Sequence, residues 1–188
     1  MNIYLIRHGM TAGNRLKRYI GRTDEPLCEE GKELLAQREK LPEPERLLCS
    51  PMLRCRETAA ILFPGSTPKL VEEFRECDFG DFENKNYLEL ADDEYYQRWV
   101  DSGAALPFPN GETREGFLKR CADAFYQEVQ LLEREGVSRA AMVVHGGTIM
   151  SILARYGTPA KNYYEFSVGN GEGYLLDWNG ETADYRKI

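Results

Sequence analysis

At 188 residues, with 42% hydrophobic and 29% charged content, the chain has the size and make-up of one globular domain with a full core. Its formal net charge of −7 argues against a nucleic-acid partner, which needs a basic face, so any phosphate site must be a local positive pocket. No apolar run is long enough to span a membrane, no leader-like segment precedes the first strand, and Cys28, Cys49, Cys55, Cys77 and Cys121 form no C-x-x-C; a cytoplasmic protein with reduced thiols is expected. In chain order, N-I-Y-L-I-R over 2–7 predicts a buried strand, followed by a loop to about residue 28. A helix near 29–40 stops at L-P-E-P, and a short strand, Arg46–Cys49, leads into S-P-M-L-R-C-R-E-T-A-A-I-L. There Ser50 is expected to cap a helix, with Pro51 at its first position.

A strand near 69–71 precedes an aromatic and acidic stretch, 74–110, with short helices expected near 86–101. N-G-E-T at 110–113 opens a long helix whose Leu118, Cys121, Ala122, Phe125, Val129 and Leu132 share one face. A strand at 140–145, a helix from about Thr148 to Tyr156, and a late strand in G-Y-L-L-D-W at 173–178 complete the pattern. Apolar strands alternating with helices mean an α/β fold, with a mainly parallel sheet covered on both faces in three α/β/α layers. G-N-G-E-G at 169–173 precedes a strand instead of opening a helix after one, so it is a turn and not a nucleotide loop.

Only two histidines occur, His8 and His145, and each follows an apolar run and precedes glycine: I-Y-L-I-R-H-G and A-M-V-V-H-G-G. Ligands of open α/β sheets gather outside the carboxyl ends of the strands, so two distant segments deliver an imidazole to the same sheet edge. Either histidine alone could be a satisfied core residue. The pair, with Arg7 beside His8, points to an anion-handling site.

R-H-G at 7–9, Asn14, G-R-T-D-E-P-L at 21–27, S-P-M-L-R-C-R-E-T-A at 50–59, F-R-E-C-D-F-G-D-F-E at 74–83 and V-V-H-G-G-T-I at 143–149 follow one another in an order that resembles the histidine phosphatase superfamily, the phosphoglycerate mutase-like group. The resemblance spans roughly residues 2–150. It implies a phosphoglycerate mutase-like fold in one domain over 1–188, with a small helical cap at about 78–110. It also implies a phosphohistidine intermediate on His8, with Arg7, Arg54 and His145 around the phosphoryl oxygens and no cofactor or metal. Neighbouring arginines would keep the His8 ring neutral and nucleophilic, and both guanidiniums can fork onto phosphoryl oxygens. Free N–H groups of the helix starting near Thr148 favour an anion there, with Gly146 before it a substrate contact.

The resemblance also places Asn14 and Gly21 at substrate-contact positions; Arg22 and Arg18, basic and near, are weaker candidates. Glu76 takes the position of the leaving-group acid, which the residues alone could not separate from Asp78, Asp81 and Glu83. Other phosphatase designs are missing: no cysteine has an arginine six residues on, and there is no D-x-D and no G-x-S-x-G. Within the family, R-Y-I-G-R-T-D-E-P-L and R-E-C-D-F-G-D-F-E resemble small phosphatases of the α-ribazole phosphatase type, which implies a small phosphorylated metabolite as substrate. A broad-specificity or phosphoserine-type phosphatase is the alternative, ahead of a mutase or a silent phospholigand-binding module. Phe79, Phe82, Tyr87, Tyr95, Tyr96 and Trp99 either pack the cap or form an aromatic pocket wall. Oligomeric state is not legible.

Overall fold

The computed structural model describes residues 1–188. Its centre is a seven-stranded sheet built from β1 (Asn2–Arg7), β2 (Arg46–Cys49), β3 (Lys69–Leu70), β4 (Arg139–Val144), β5 (Gly157–Thr158), β6 (Gly173–Trp178) and β7 (Ala183–Lys187). The spatial order is β3-β2-β4-β1-β6-β7-β5; β1, β2, β3 and β4 run parallel, and β6 pairs antiparallel with both β1 and β7. The expected mainly parallel α/β sheet is present.

Side-chain alternation explains the unbroken apolar run of β1. Ile3 and Leu5 enter one core layer, with Phe125, Val129, Ile149 and Ile152 from the helices α5 (Arg114–Arg134) and α6 (Gly146–Tyr156). Tyr4 and Ile6 enter the opposite layer, with Cys55, Ala59 and Phe63 from and just beyond the helix α3 (Leu53–Leu62). With both faces covered, a polar residue inside β1 or β4 would be buried, so the strand stays apolar until its last residue.

Three further α-helices are α1 (Ala12–Arg15), α2 (Glu29–Gln37) and α4 (Glu94–Asp101), and short 3-10 turns lie at Glu72–Phe74, Gly80–Phe82 and Tyr163–Phe166. The long α5 begins behind Thr113, whose hydroxyl accepts from Gly116 N–H at 3.1 Å, and its predicted apolar face is buried apart from half-buried Leu118. Two expectations are corrected. The cap of α3 is Met52, because Ser50 is drawn into another contact described below, so Pro51 lies outside the helix. The helix expected from Thr148 starts two residues earlier, with His145 itself at the N-cap position.

Candidate active site

The register of the central strands brings the two histidines together. Arg7 pairs with Val144 across β1 and β4, so the next residue on each strand, His8 and His145, emerges at the same point of the sheet edge. The backbone N–H of His8 donates to the Val144 carbonyl at 2.9 Å, extending the ladder by one step. Both rings are buried, their centroids 5.2 Å apart.

His8 has a defined tautomer. Its Nδ1 lies 2.7 Å from the Gly9 carbonyl oxygen, which can only accept, so Nδ1 carries the proton and Nε2 holds the free lone pair. Burial, reinforced by Arg54 and Arg7, pushes the imidazole well below its ordinary value. The ring is therefore neutral at physiological pH. Neighbouring arginines alone were expected to do this; desolvation is the larger cause.

Arg54 is fully buried in the first turn of α3. Its guanidinium donates to the carbonyls of Thr23 at 2.8 Å, Gly21 at 3.1 Å and Ile20 at 3.3 Å, while Nε meets no protein acceptor. Arg7 donates to the Val168 carbonyl at 2.6 Å and likewise has a buried Nε without a partner. Burial pulls the Arg7 value down, though a guanidinium in this range stays charged. One buried and one half-buried cation with donors left over, beside two neutral imidazoles, form a ready site for an anion.

Glu76 reaches this site from the loop after β3. One carboxylate oxygen accepts from Cys77 N–H at 3.0 Å and the other from Gly147 N–H at 3.3 Å, at the start of α6. Burial raises the carboxyl above its usual range, and the two N–H donors with Arg54 and Arg7 pull the other way without cancelling it. The rival acids have other partners. Glu83 accepts from Gly21 N–H, Thr23 N–H and Thr23 Oγ1, each at 2.9 Å; Asp78 pairs with Arg22 at 3.2 Å; Asp81 accepts from Asn110 at 3.0 Å.

The remaining candidates sit around this centre. Gly146 packs against Arg7, and a Cβ there would lie 3.4 Å from Arg7 Nε. Asn14 Oδ1 accepts from Thr11 N–H at 3.3 Å and Asn170 Nδ2 at 2.9 Å, which leaves its own Nδ2 for a ligand. Gly21 has both backbone groups engaged, by Glu83 and Arg54, and a Cβ would lie 1.9 Å from the Cys77 carbonyl oxygen. Only glycine allows this approach, so Gly21 shapes the loop that holds Arg54. Arg22 is exposed and reaches Asp78, not the histidines. Arg18 donates to Glu89 at 2.8 Å and Asn84 at 3.2 Å.

Three supporting residues were not anticipated. Thr58 accepts from Gly9 N–H at 2.9 Å and donates to the Arg54 carbonyl at 2.7 Å, tying the nucleophile loop to α3. Asn170, in the glycine-flanked turn, donates to the carbonyls of His8 at 3.2 Å and Gly9 at 3.3 Å. Ser50 Oγ lies 2.8 Å from His145 Nε2. The turn was visible in the sequence, but its contact with residues 8 and 9 depends on β6 lying beside β1, which local pattern does not encode.

Two cavities meet at Arg7 and Tyr19. One, of about 350 Å³, also holds Glu76, Phe79, Trp99, Phe108 and Phe117. The other, about 450 Å³, is lined by Asn14, Lys17, Arg18, Tyr87 and Asn170. Both readings of the aromatic stretch apply. Phe82 and Tyr96 are buried in a small core of their own, while Phe79 and Trp99 pack on it and face the first cavity. Tyr87 belongs to the second, basic cavity.

Comparison with known proteins places this arrangement. The family profile of the histidine phosphatase superfamily (branch 1) matches residues 3–188. The adenosylcobalamin/alpha-ribazole phosphatase of Salmonella typhimurium is 33% identical over 94% of this chain and 90% of its own. The crystal structure of a putative alpha-ribazole-5'-P phosphatase from Escherichia coli superposes with a TM-score of 0.85 at 27% identity, covering 99% of this chain and 94% of that one. A phosphoglycerate mutase from Thermus thermophilus superposes with a TM-score of 0.73 at 29% identity, covering 97% and 96%.

Proposed function

The chain belongs to the histidine phosphatase superfamily and is a phosphatase enzyme, and on that footing we propose that it hydrolyses a phosphomonoester whose alcohol carries a flat ring, α-ribazole 5′-phosphate fitting best. One observation carries this reading: Glu76, the candidate proton donor to the leaving oxygen, lines the same cavity as Arg7, Phe79, Trp99, Phe108 and Phe117. Glu76 also borders a polar cavity with Gly21, Arg22 and Asp78, but Arg7 does not line that one, so a leaving group between Glu76 and Arg7 has its organic body among the aromatics. The name of the Salmonella relative supports the same substrate.

In this mechanism Nε2 of His8 attacks phosphorus while Arg7 and Arg54 neutralise charge on the peripheral oxygens and neutral His145 donates a hydrogen bond to one of them. The bond from phosphorus to the ester oxygen breaks, and that oxygen takes the Glu76 proton. The alcohol then leaves. Glu76, now a carboxylate, removes a proton from water, which attacks the phosphohistidine; the P–N bond breaks and inorganic phosphate is released with His8 restored. The raised carboxyl of Glu76 suits the first half, since it must hold a proton near neutral pH.

Residues 1–188 act as one catalytic domain in this reading, with 78–110 as its cap, since α4 and the aromatic core around Phe82 pack beside the cavity. A cytoplasmic setting belongs to it too; all five cysteines are free thiols, which suits a reducing compartment. Turnover of α-ribazole 5′-phosphate, phosphoserine, 3-phosphoglycerate and p-nitrophenyl phosphate decides the substrate. The ring substrate should lead the alkyl monoesters in kcat/KM by at least about tenfold, given the apolar area available. Parity across the panel, or preference for phosphoserine or 3-phosphoglycerate, overturns the substrate assignment.

A further inference from the structure

The contact between Ser50 and His145 has a chemical consequence. His145 is fully buried, and burial together with Arg54, His8 and Arg7 pushes its imidazole well below the ordinary value, so it is neutral. A neutral imidazole has one N–H and one lone pair. Beside a phosphoryl group the N–H attracts and the lone pair repels, so the tautomer decides whether His145 helps or hinders. A buried hydroxyl against one ring nitrogen can fix that choice, provided its own proton has no other strong acceptor.

Ser50 meets this condition. Its Oγ is fully buried and has two hydrogen-bond neighbours, Met52 N–H at 3.5 Å and His145 Nε2 at 2.8 Å. The Met52 N–H can only donate, and the Cys55 thiol, which also interacts with the Ser50 hydroxyl, is a weak acceptor, so the strong acceptor for the Ser50 proton is His145 Nε2. Cys55 Sγ is also near the ring, 3.5 Å from Nε2 and 3.8 Å from Nδ1, but its thiol proton has the Val144 carbonyl at 3.5 Å. Burial raises that thiol well above its ordinary value, so it stays uncharged. No protein oxygen is bonded to His145 Nδ1.

The geometry points to Ser50 as a positioning residue that donates to His145 Nε2 and locks the ring as the Nδ1–H tautomer, so that a neutral histidine offers the phosphoryl oxygen a donor. This deepens the phosphatase reading and rests on it for the role of His145. Both histidines then carry their proton on Nδ1 for opposite ends: His8 frees a lone pair for attack, and His145 frees an N–H for binding. The helix cap that Ser50 was expected to supply is forgone, and α3 starts at Leu53 without a side-chain cap.

Having two histidines in the whole chain makes the test clean. Nitrogen-15 imidazole spectra of the intact protein at neutral pH, assigned with His8→Asn, report both tautomers without any turnover. The wild type should show His145 as Nδ1–H; a ring found as Nε2–H overturns the proposal whatever the enzyme hydrolyses. Ser50→Ala should move His145 toward a tautomer mixture and lower kcat about tenfold or more, while Ser50→Thr, which keeps the hydroxyl, should restore both. An unchanged tautomer in a folded Ser50→Ala protein overturns the assignment. If Ser50→Ala does not fold, the wild-type and Ser50→Thr spectra still decide. Absence of phosphatase activity alongside an Nδ1–H signal would fault the functional reading and leave the tautomer assignment standing.

Discussion

The rings of His8 and His145 meet edge to face, with 5.2 Å between centroids and 67° between planes. Each ring is buried within the field of the same two arginines, and burial first, with those charges behind it, holds each neutral. The arrangement concentrates positive charge at the sheet edge in guanidiniums, leaving the imidazoles free for nucleophilic and hydrogen-bonding work.

Replacing His8 with alanine should abolish turnover, with a loss of at least about 10³-fold, because no other nucleophile shares its position. An acid-labile phosphoenzyme, trapped by rapid quench with radiolabelled substrate, should vanish with it. Trapping of normal amounts in a folded His8→Ala protein would exclude covalent catalysis at this residue.

Glu76→Gln keeps the size of the side chain but cannot cycle a proton. On alkyl phosphates kcat should drop by ~10²–10⁴. On p-nitrophenyl phosphate, whose leaving group is stable as an anion, the drop should be far smaller. Equal losses on both substrates would remove Glu76 as the acid, and Asp78, next in the loop, would be tested after it.

Stability should fall on mild acidification. In the unfolded chain each histidine takes up a proton as pH drops through about 6.5, whereas in the folded chain both values are depressed and neither does. The histidine contribution is therefore fully present above that value and lost below it, at up to about 1.4 kcal/mol per pH unit for each ring. Glu76 acts in the opposite sense, since its raised value stabilises the fold at low pH and that gain disappears as pH rises. Urea midpoints between pH 7.5 and 5.5 should decline for the wild type and decline about half as steeply for His8→Asn. A flat wild-type profile would contradict depressed histidines.

The two cavities predict different outcomes for two aromatic substitutions. Trp99 lines the cavity with Glu76, and Trp99→Ala should cost a ringed substrate about 1–3 kcal/mol in kcat/KM relative to glycerol phosphate. Tyr87 lies with Lys17 and Arg18 in the other cavity, so Tyr87→Ala should affect both substrates alike. Discrimination by Tyr87 and not by Trp99 would put the ring on the wrong side.

What could be read from the sequence followed physical rules of differing reach. β1 and β4 were legible because strands buried on both faces stay apolar and end abruptly, at R-H-G and V-H-G. β7 escaped notice because A-D-Y-R-K has only Ala183 buried and carries no apolar run. The four-residue α1 is too short for any periodicity. His8, Arg7, Arg54, Glu76 and His145 were named through ordered motifs and now lie around one site, whereas Ser50 and Asn170 owe their positions to partners 95 and 162 residues away. Ser50 also shows a tertiary bond overriding a local preference: its residue type favours a helix cap, and a buried imidazole took it instead.

The placement of β1 between β4 and β6 has a consequence for how the molecule comes into being. His8 is translated more than a hundred residues before both hydrogen-bonding neighbours of its strand, residues 139–144 and 173–178, and Asn170 closes over it only then. At ordinary synthesis rates the first strand waits roughly ten to thirty seconds for its partners. During that interval I-Y-L-I is an unpaired apolar segment on a ribosome-bound chain, a target for holding chaperones and for premature pairing with other nascent chains. Catalytic competence therefore waits for β6, and a chain cut short before it would lack the central strand's second neighbour and the turn that clasps its nucleophile.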